Sequence, residues 1–103
     1  MRVFCDIDGT LTTVPGKRWG EPLEKRIANL KQLIVEGHQV VLWTGGGTKY
    51  ARRFAEKYGI EGAVCIGKPT HCIDDNPNIR PKGRIKILEP TVLDEEWQQN
   101  VQP

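Results

Sequence analysis

The feature that most constrains the fold is the stretch Val3-Phe4-Cys5-Asp6-Ile7-Asp8-Gly9-Thr10-Leu11-Thr12, an apolar strand-like run that ends in two carboxylates and a Gly/Thr turn. Strand side chains alternate between faces, but beyond the strand end a turn can bring Asp6 and Asp8 toward one point. Two acids converging there repel unless a cation or a proton neutralises them. In parallel α/β sheets ligands bind beyond the carboxyl ends of the strands, so a run of this kind predicts a site at the end of the first strand of such a sheet.

The rest of the chain follows the same plan. Pro22 suits the first turn of a helix, and Leu23, Ile27, Leu30 and Ile34 recur near helical period until Gly37 stops them. Gln39 to Trp43 reads as the second strand. A second helix is predicted from about Thr48, with Ala51, Phe54, Ala55 and Tyr58 on one face and an end at Gly59. Ala63 to Ile66, His71 to Ile73 and Ile85 to Leu88 look like strands, followed by a short helix from about Thr91 to Trp97 and a polar tail from about residue 98. This alternation predicts a single α/β domain over residues 1–103, with a three-layer, doubly wound and mainly parallel sheet. One connection is anomalous: a parallel crossover needs about a dozen residues, yet only Gly67 to Thr70 separate the Ala63 and His71 segments. One of those two segments is therefore expected to be short, irregular or antiparallel.

Length and composition narrow the function. A chain of 103 residues supports one core and not two. With 38% hydrophobic and 27% charged residues the composition is that of a folded domain, and a net charge of +2 is too small to imply nucleic-acid binding. No run approaches the length of a membrane span and no signal peptide precedes the first strand, so the expectation is a cytoplasmic protein without membrane contact. Cys5, Cys65 and Cys72 lie in apolar runs and read as buried thiols in a reducing compartment. Zinc held by Cys65, His71 and Cys72 lacks the paired spacing and a fourth ligand.

Rival readings of the individual motifs are weaker. Counted from Asp6, an EF-hand would have Leu11 at its glycine position and Lys17 at its bidentate glutamate. A Walker A loop over Gly62 to Lys68 fails because Pro69 replaces the magnesium-holding hydroxyl and Ala63-Val64-Cys65-Ile66 is strand material. Gly45, Gly46 and Gly47 after Thr44 would let backbone N–H groups approach an anion. The adjacent acids Asp74 and Asp75, directly after an apolar run, are costly unless something positive lies between them.

Taken together, Asp6-Ile7-Asp8-Gly9-Thr10, Thr44 at the end of an apolar strand, Lys68 in Gly67-Lys68-Pro69, and Ile73-Asp74-Asp75 resemble, in order, the four motifs of the haloacid dehalogenase-like superfamily of phosphohydrolases. The resemblance implies magnesium-dependent hydrolysis of phosphomonoesters through an aspartyl-phosphate. It implies Asp6 as nucleophile and Asp8 as general acid and then base. Thr44 and Lys68 would bind the phosphoryl group, with Gly45, Gly46 and Lys49 as further substrate-binding candidates. The Mg2+ ligands would be Asp6, the Asp8 carbonyl, Asp74 and Asp75, the last direct or through water. The helix that usually accompanies the lysine is missing, and Lys49 is the alternative to Lys68. Neither gap between motifs holds a cap domain. In this family an open site goes with a bulky or polymeric phosphorylated substrate, or with a lid supplied by a partner subunit in an oligomer. The loop Thr13 to Gly20, with Lys17, Arg18 and Trp19, is either a contact for an anionic or sugar-like group or a solvated loop. A receiver-like signalling domain, or a phosphate-binding module without turnover, is the alternative function class.

Overall fold

The structure, a computed structural model, describes residues 1–14, 20–71, 73, 75 and 88–96. Its elements run β1 (Arg2–Cys5), α1 (Glu24–Val35), β2 (Gln39–Thr44), α2 (Thr48–Tyr58), β3 (Val64–Gly67) and a short 3₁₀ helix (Pro90–Asp94). The three strands form one sheet in the order β1-β2-β3, both pairings parallel, with Cys5 opposite Leu42 and Leu42 opposite Cys65. Each crossover carries one helix and steps in the same direction across the sheet. A reversal that would make the sheet doubly wound does not occur among the described residues.

Register explains the core. Cys5, Val40 and Leu42 lie in the main cluster with Ile27, Leu30 and Leu33 of α1 and Ala51, Phe54 and Ala55 of α2. On the alternate positions of the sheet, Phe4 lies opposite Val41 and Val41 opposite Val64, and Phe4 and Trp43 meet edge to face with ring centroids 5.0 Å apart. The helical periods expected from sequence hold, with Leu33 joining the buried stripe of α1 in addition to Ile27 and Leu30. Gly59 ends α2 because it takes a left-handed conformation, φ 66°, that other residues adopt only with strain. That conformation lets the Ile60 N–H bond the Ala55 carbonyl at 2.8 Å.

Three expectations are corrected. Pro22 is not in the first turn of α1, which begins at Glu24; it pairs with Thr12 in an antiparallel bridge. The Thr13 N–H bonds the Glu21 carbonyl and the Leu23 N–H bonds the Leu11 carbonyl, so these contacts keep residues 21–23 extended. His71 and Ile73 do not belong to a strand, and Ile73 is fully exposed. The chain leaves the sheet after Gly67, at Lys68-Pro69, which accounts for the connection too short for a crossover: β3 is the regular segment. The last helix is a 3₁₀ turn closing at Asp94, not an α-helix reaching Trp97, which lies outside the described residues. Leu88 is in no strand, and the remainder of the Ile85 run is outside the described residues, as are Cys72, Asp74, Lys17, Arg18, Trp19 and the tail.

The C-terminal 3₁₀ helix is tied to α1. Leu93 is buried, the Asn29 amide donates to the Leu93 carbonyl, and the Arg26 guanidinium grips both oxygens of Asp94 at 2.6 and 3.3 Å. The same guanidinium donates to the Thr10 carbonyl at 3.0 Å, so this clamp also steadies the turn after Asp8.

Candidate active site

Ile7 organises the first motif. Its side chain is fully buried, so Asp6 and Asp8, on either side of it in sequence, are left outside the core. Its carbonyl accepts the N–H groups of Thr10, Leu11 and Thr12 at 3.1, 2.7 and 3.3 Å, which winds the chain into a tight turn immediately beyond β1. Gly9 sits in that turn with φ 78°.

The three strand ends place three functional groups side by side. Asp6 follows β1, Thr44 closes β2 and Lys68 follows β3. The Lys68 N–H donates to the Thr44 carbonyl at 2.9 Å, and its ammonium lies 3.3 Å from Asp6 Oδ1 and 5.8 Å from the centre of the Trp43 ring. Asp6 Oδ2 accepts a long hydrogen bond, 3.4 Å, from the Thr10 hydroxyl. Thr44 is buried, and its Oγ1 accepts the Gly46 N–H at 3.1 Å, which leaves the hydroxyl proton to donate elsewhere. The Gly46 and Gly47 amides thus both turn back on Thr44, Gly47 onto its carbonyl at 3.2 Å. Lys49 is exposed on the first turn of α2 and has no ion pair with Asp6 or Asp8.

Asp8 is held by Tyr50, whose hydroxyl donates to Asp8 Oδ1 at 2.6 Å. Burial pushes the Asp8 carboxyl up from the usual range, the Tyr50 hydrogen bond draws it down, and the neighbouring Asp6 charge pushes it up again, with a net upward direction. The Tyr50 phenol is itself pushed up, first by burial and then by its bond to Asp8 and the charges of Asp8 and Asp6, so it stays a neutral donor. Sequence reasoning passed over Tyr50, because an aromatic beside a core stripe reads as packing. The available signal was its place on the first turn of the helix entered from the Thr44 glycine run.

Asp75 is exposed, and Asp74, the other acid of its motif, lies outside the described residues. Among the described residues no three His, Cys, Asp or Glu side chains converge. The zinc alternative through Cys72 falls outside them. A separate cleft between α2 and β3, lined by Arg52, Glu56, Ile60, Ala63 and Cys65, includes none of the groups above.

A family model for haloacid dehalogenase-like hydrolases matches residues 3–73, more than half of the chain. The chain belongs to the haloacid dehalogenase-like hydrolases. The matched span begins in β1 and extends past Lys68, so it contains Asp6, Asp8, Thr44 and Lys68 and all of the β1-α1-β2-α2-β3 unit of the hydrolase except Arg2. Neither a curated protein nor a solved structure matches the chain. No helix among the described residues of the hydrolase is long and apolar enough to cross a membrane.

Proposed function

We propose that this hydrolase is a magnesium-dependent phosphatase in which Asp6 attacks the phosphorus of a phosphomonoester. The observation that carries the reading is the Asp6 carboxylate at the end of a parallel strand, with the Lys68 ammonium 3.3 Å from one oxygen and Asp8 two residues on. A carboxylate nucleophile forms an acyl-phosphate that water later cleaves, dividing one difficult displacement into two. Asp8 gives its proton to the leaving oxygen and then takes one from the attacking water. An upward-shifted carboxyl suits the first of those tasks. Charge in phosphoryl transfer spreads over the non-bridging oxygens, so the Lys68 ammonium and the free proton of the Thr44 hydroxyl act by electrostatic stabilisation. Lys68, the lysine in contact with Asp6, is preferred to Lys49 for that task.

The donor set fits magnesium. The carboxylate of Asp6 and the backbone carbonyl of Asp8 are hard oxygen donors, and the mutual repulsion of the two acids is what a cation relieves. Asp74 and Asp75 would complete the set, as the family resemblance implies. When bound, the ion screens the attacking carboxylate from the anionic phosphate.

The connection between β2 and β3 holds α2 alone, which supports a capless site open to a bulky or polymeric phosphorylated substrate, or to a partner subunit's lid. Cys5 and Cys65, the described cysteines, are free thiols, and a cytoplasmic location is proposed because a reducing compartment would keep them so.

The test is phosphate release from a generic aryl phosphate with magnesium, comparing wild type with Asp6→Asn. The variant should be inactive because an amide is a poor nucleophile, and EDTA should silence the wild type reversibly. Activity retained by Asp6→Asn, or indifferent to chelation, removes the reading.

A further inference from the structure

The geometry points to Tyr50 as a positioning residue that fixes which oxygen of Asp8 exchanges the proton. The inference rests on the acid–base role of Asp8 given above and specifies how that role is held in place.

The Tyr50 hydroxyl reaches Asp8 Oδ1 at 2.6 Å, the length of a strong hydrogen bond to a carboxylate. Among the described residues Tyr50 is the one side chain that hydrogen-bonds Asp8. Asp8 sits in the turn beside Gly9, φ 78°, and its carboxyl reaches across to the first turn of α2 for this bond. The restriction on that carboxyl comes from across the site, and its source is rigid. The Tyr50 ring packs against the core and lies directly on Gly46, where a Cβ would stand 2.9 Å from Cγ and 3.1 Å from Cδ1 of the ring. Only a residue without a side chain leaves that space. Gly46 is in turn bound through its N–H to Thr44 Oγ1. A continuous chain of contacts therefore runs from the phosphoryl-binding hydroxyl of Thr44, through the Gly46 turn and the Tyr50 ring, to Asp8.

With Oδ1 committed to the phenol, Oδ2 is the oxygen that carries the proton. In the first step the bond between Asp6 and phosphorus forms as the bond from phosphorus to the leaving oxygen breaks, and the Oδ2 proton passes to that oxygen. In the second, water attacks phosphorus, its proton returns to Oδ2, the bond to Asp6 breaks and phosphate departs. Tyr50 touches neither the phosphoryl group nor the leaving oxygen in this scheme; it acts only through Asp8.

A proton donor matters in proportion to the basicity of the leaving group, and this separates positioning from plain structural support. The experiment measures kcat/KM, which reports the steps up to leaving-group departure, for an alkyl phosphate and for 2,4-dinitrophenyl phosphate, in wild type, Tyr50→Phe, Asp8→Asn and the double variant. Tyr50→Phe is expected to lose about 10-fold or more on the alkyl phosphate, part of the roughly 100- to 10,000-fold available from general acid–base catalysis. On dinitrophenyl phosphate, whose leaving group needs no proton, it should stay within about 2-fold of wild type on the same grounds. In the Asp8→Asn background the Tyr50 substitution should cost nothing further. Equal losses on the two substrates, no loss on either, or a full additional loss in the double variant would each overturn the assignment while leaving the hydrolase reading intact. A wild type that turns over neither substrate overturns both.

Discussion

The ammonium of Lys68 lies 3.3 Å from Asp6 Oδ1, joining the residue that follows β3 to the one that follows β1 across the end of the central strand. Sixty-odd residues of chain separate them, and the contact exists because both strands run parallel to β2, β3 ending opposite Thr44 and β1 opposite Leu42.

That contact predicts the outcome of removing the charge. Lys68→Ala should lower kcat by about 100- to 1,000-fold, the usual effect of deleting one preorganised group that stabilises transition-state charge. Steady-state kinetics on an aryl phosphate checks it, with Lys49→Ala beside it. A larger loss in the Lys49 variant would transfer the role to that residue.

Cys5 is buried at the end of β1, and burial together with the adjacent Asp6 charge pushes its thiol up to about 12. Reactivity belongs to the thiolate. Native protein treated with iodoacetamide at pH 8 should therefore carry no adduct on Cys5 in peptide mapping, whereas protein unfolded in guanidinium should. Rapid native labelling of Cys5 would mean that the β1 end opens.

The Arg26 pair with Asp94 gives stability a dependence on pH. The Arg26 guanidinium holds the Asp94 carboxyl below the usual carboxylate range. A carboxyl lowered in the folded state contributes stability that is present above its unfolded pKa, about 3.9, and is lost as pH falls through the folded value. Denaturant titrations should show wild type losing stability from about pH 4 downward. Asp94→Asn should be less stable than wild type at pH 7 and lose less between pH 5 and pH 3. Parallel curves for the two proteins would remove the pair from the account.

Much of this architecture was legible in the chain because local signals and tertiary packing agree. Ile27 and Leu30 repeat at helical spacing and are buried, and Gly37 and Gly59 fall where the helices stop. The short link from Gly67 to Thr70 correctly marked a break in the sheet, but apolarity made His71 to Ile73 look like a strand when the chain had already left at Lys68-Pro69. Pro22 misled in the opposite way: its fixed φ suits a helix start, but the pairing of Thr13 and Leu11 with residues 21 and 23 overrides that preference. Asp6 and Asp8 stood out because paired acids at a strand end are costly without a purpose. Tyr50 did not, since its bond to Asp8 depends on where α2 sits over the β1 turn, a relationship between residues 42 positions apart.

The central claim is a transient bond between Asp6 and phosphorus, and rapid-quench labelling with a ³²P-phosphomonoester in magnesium tests it most directly. The account predicts acid-stable label on the wild-type protein within the first turnover, mapping to the peptide that contains Asp6, vanishing as phosphate is released and absent from Asp6→Asn. Steady phosphate release with no labelled protein at any time would contradict it.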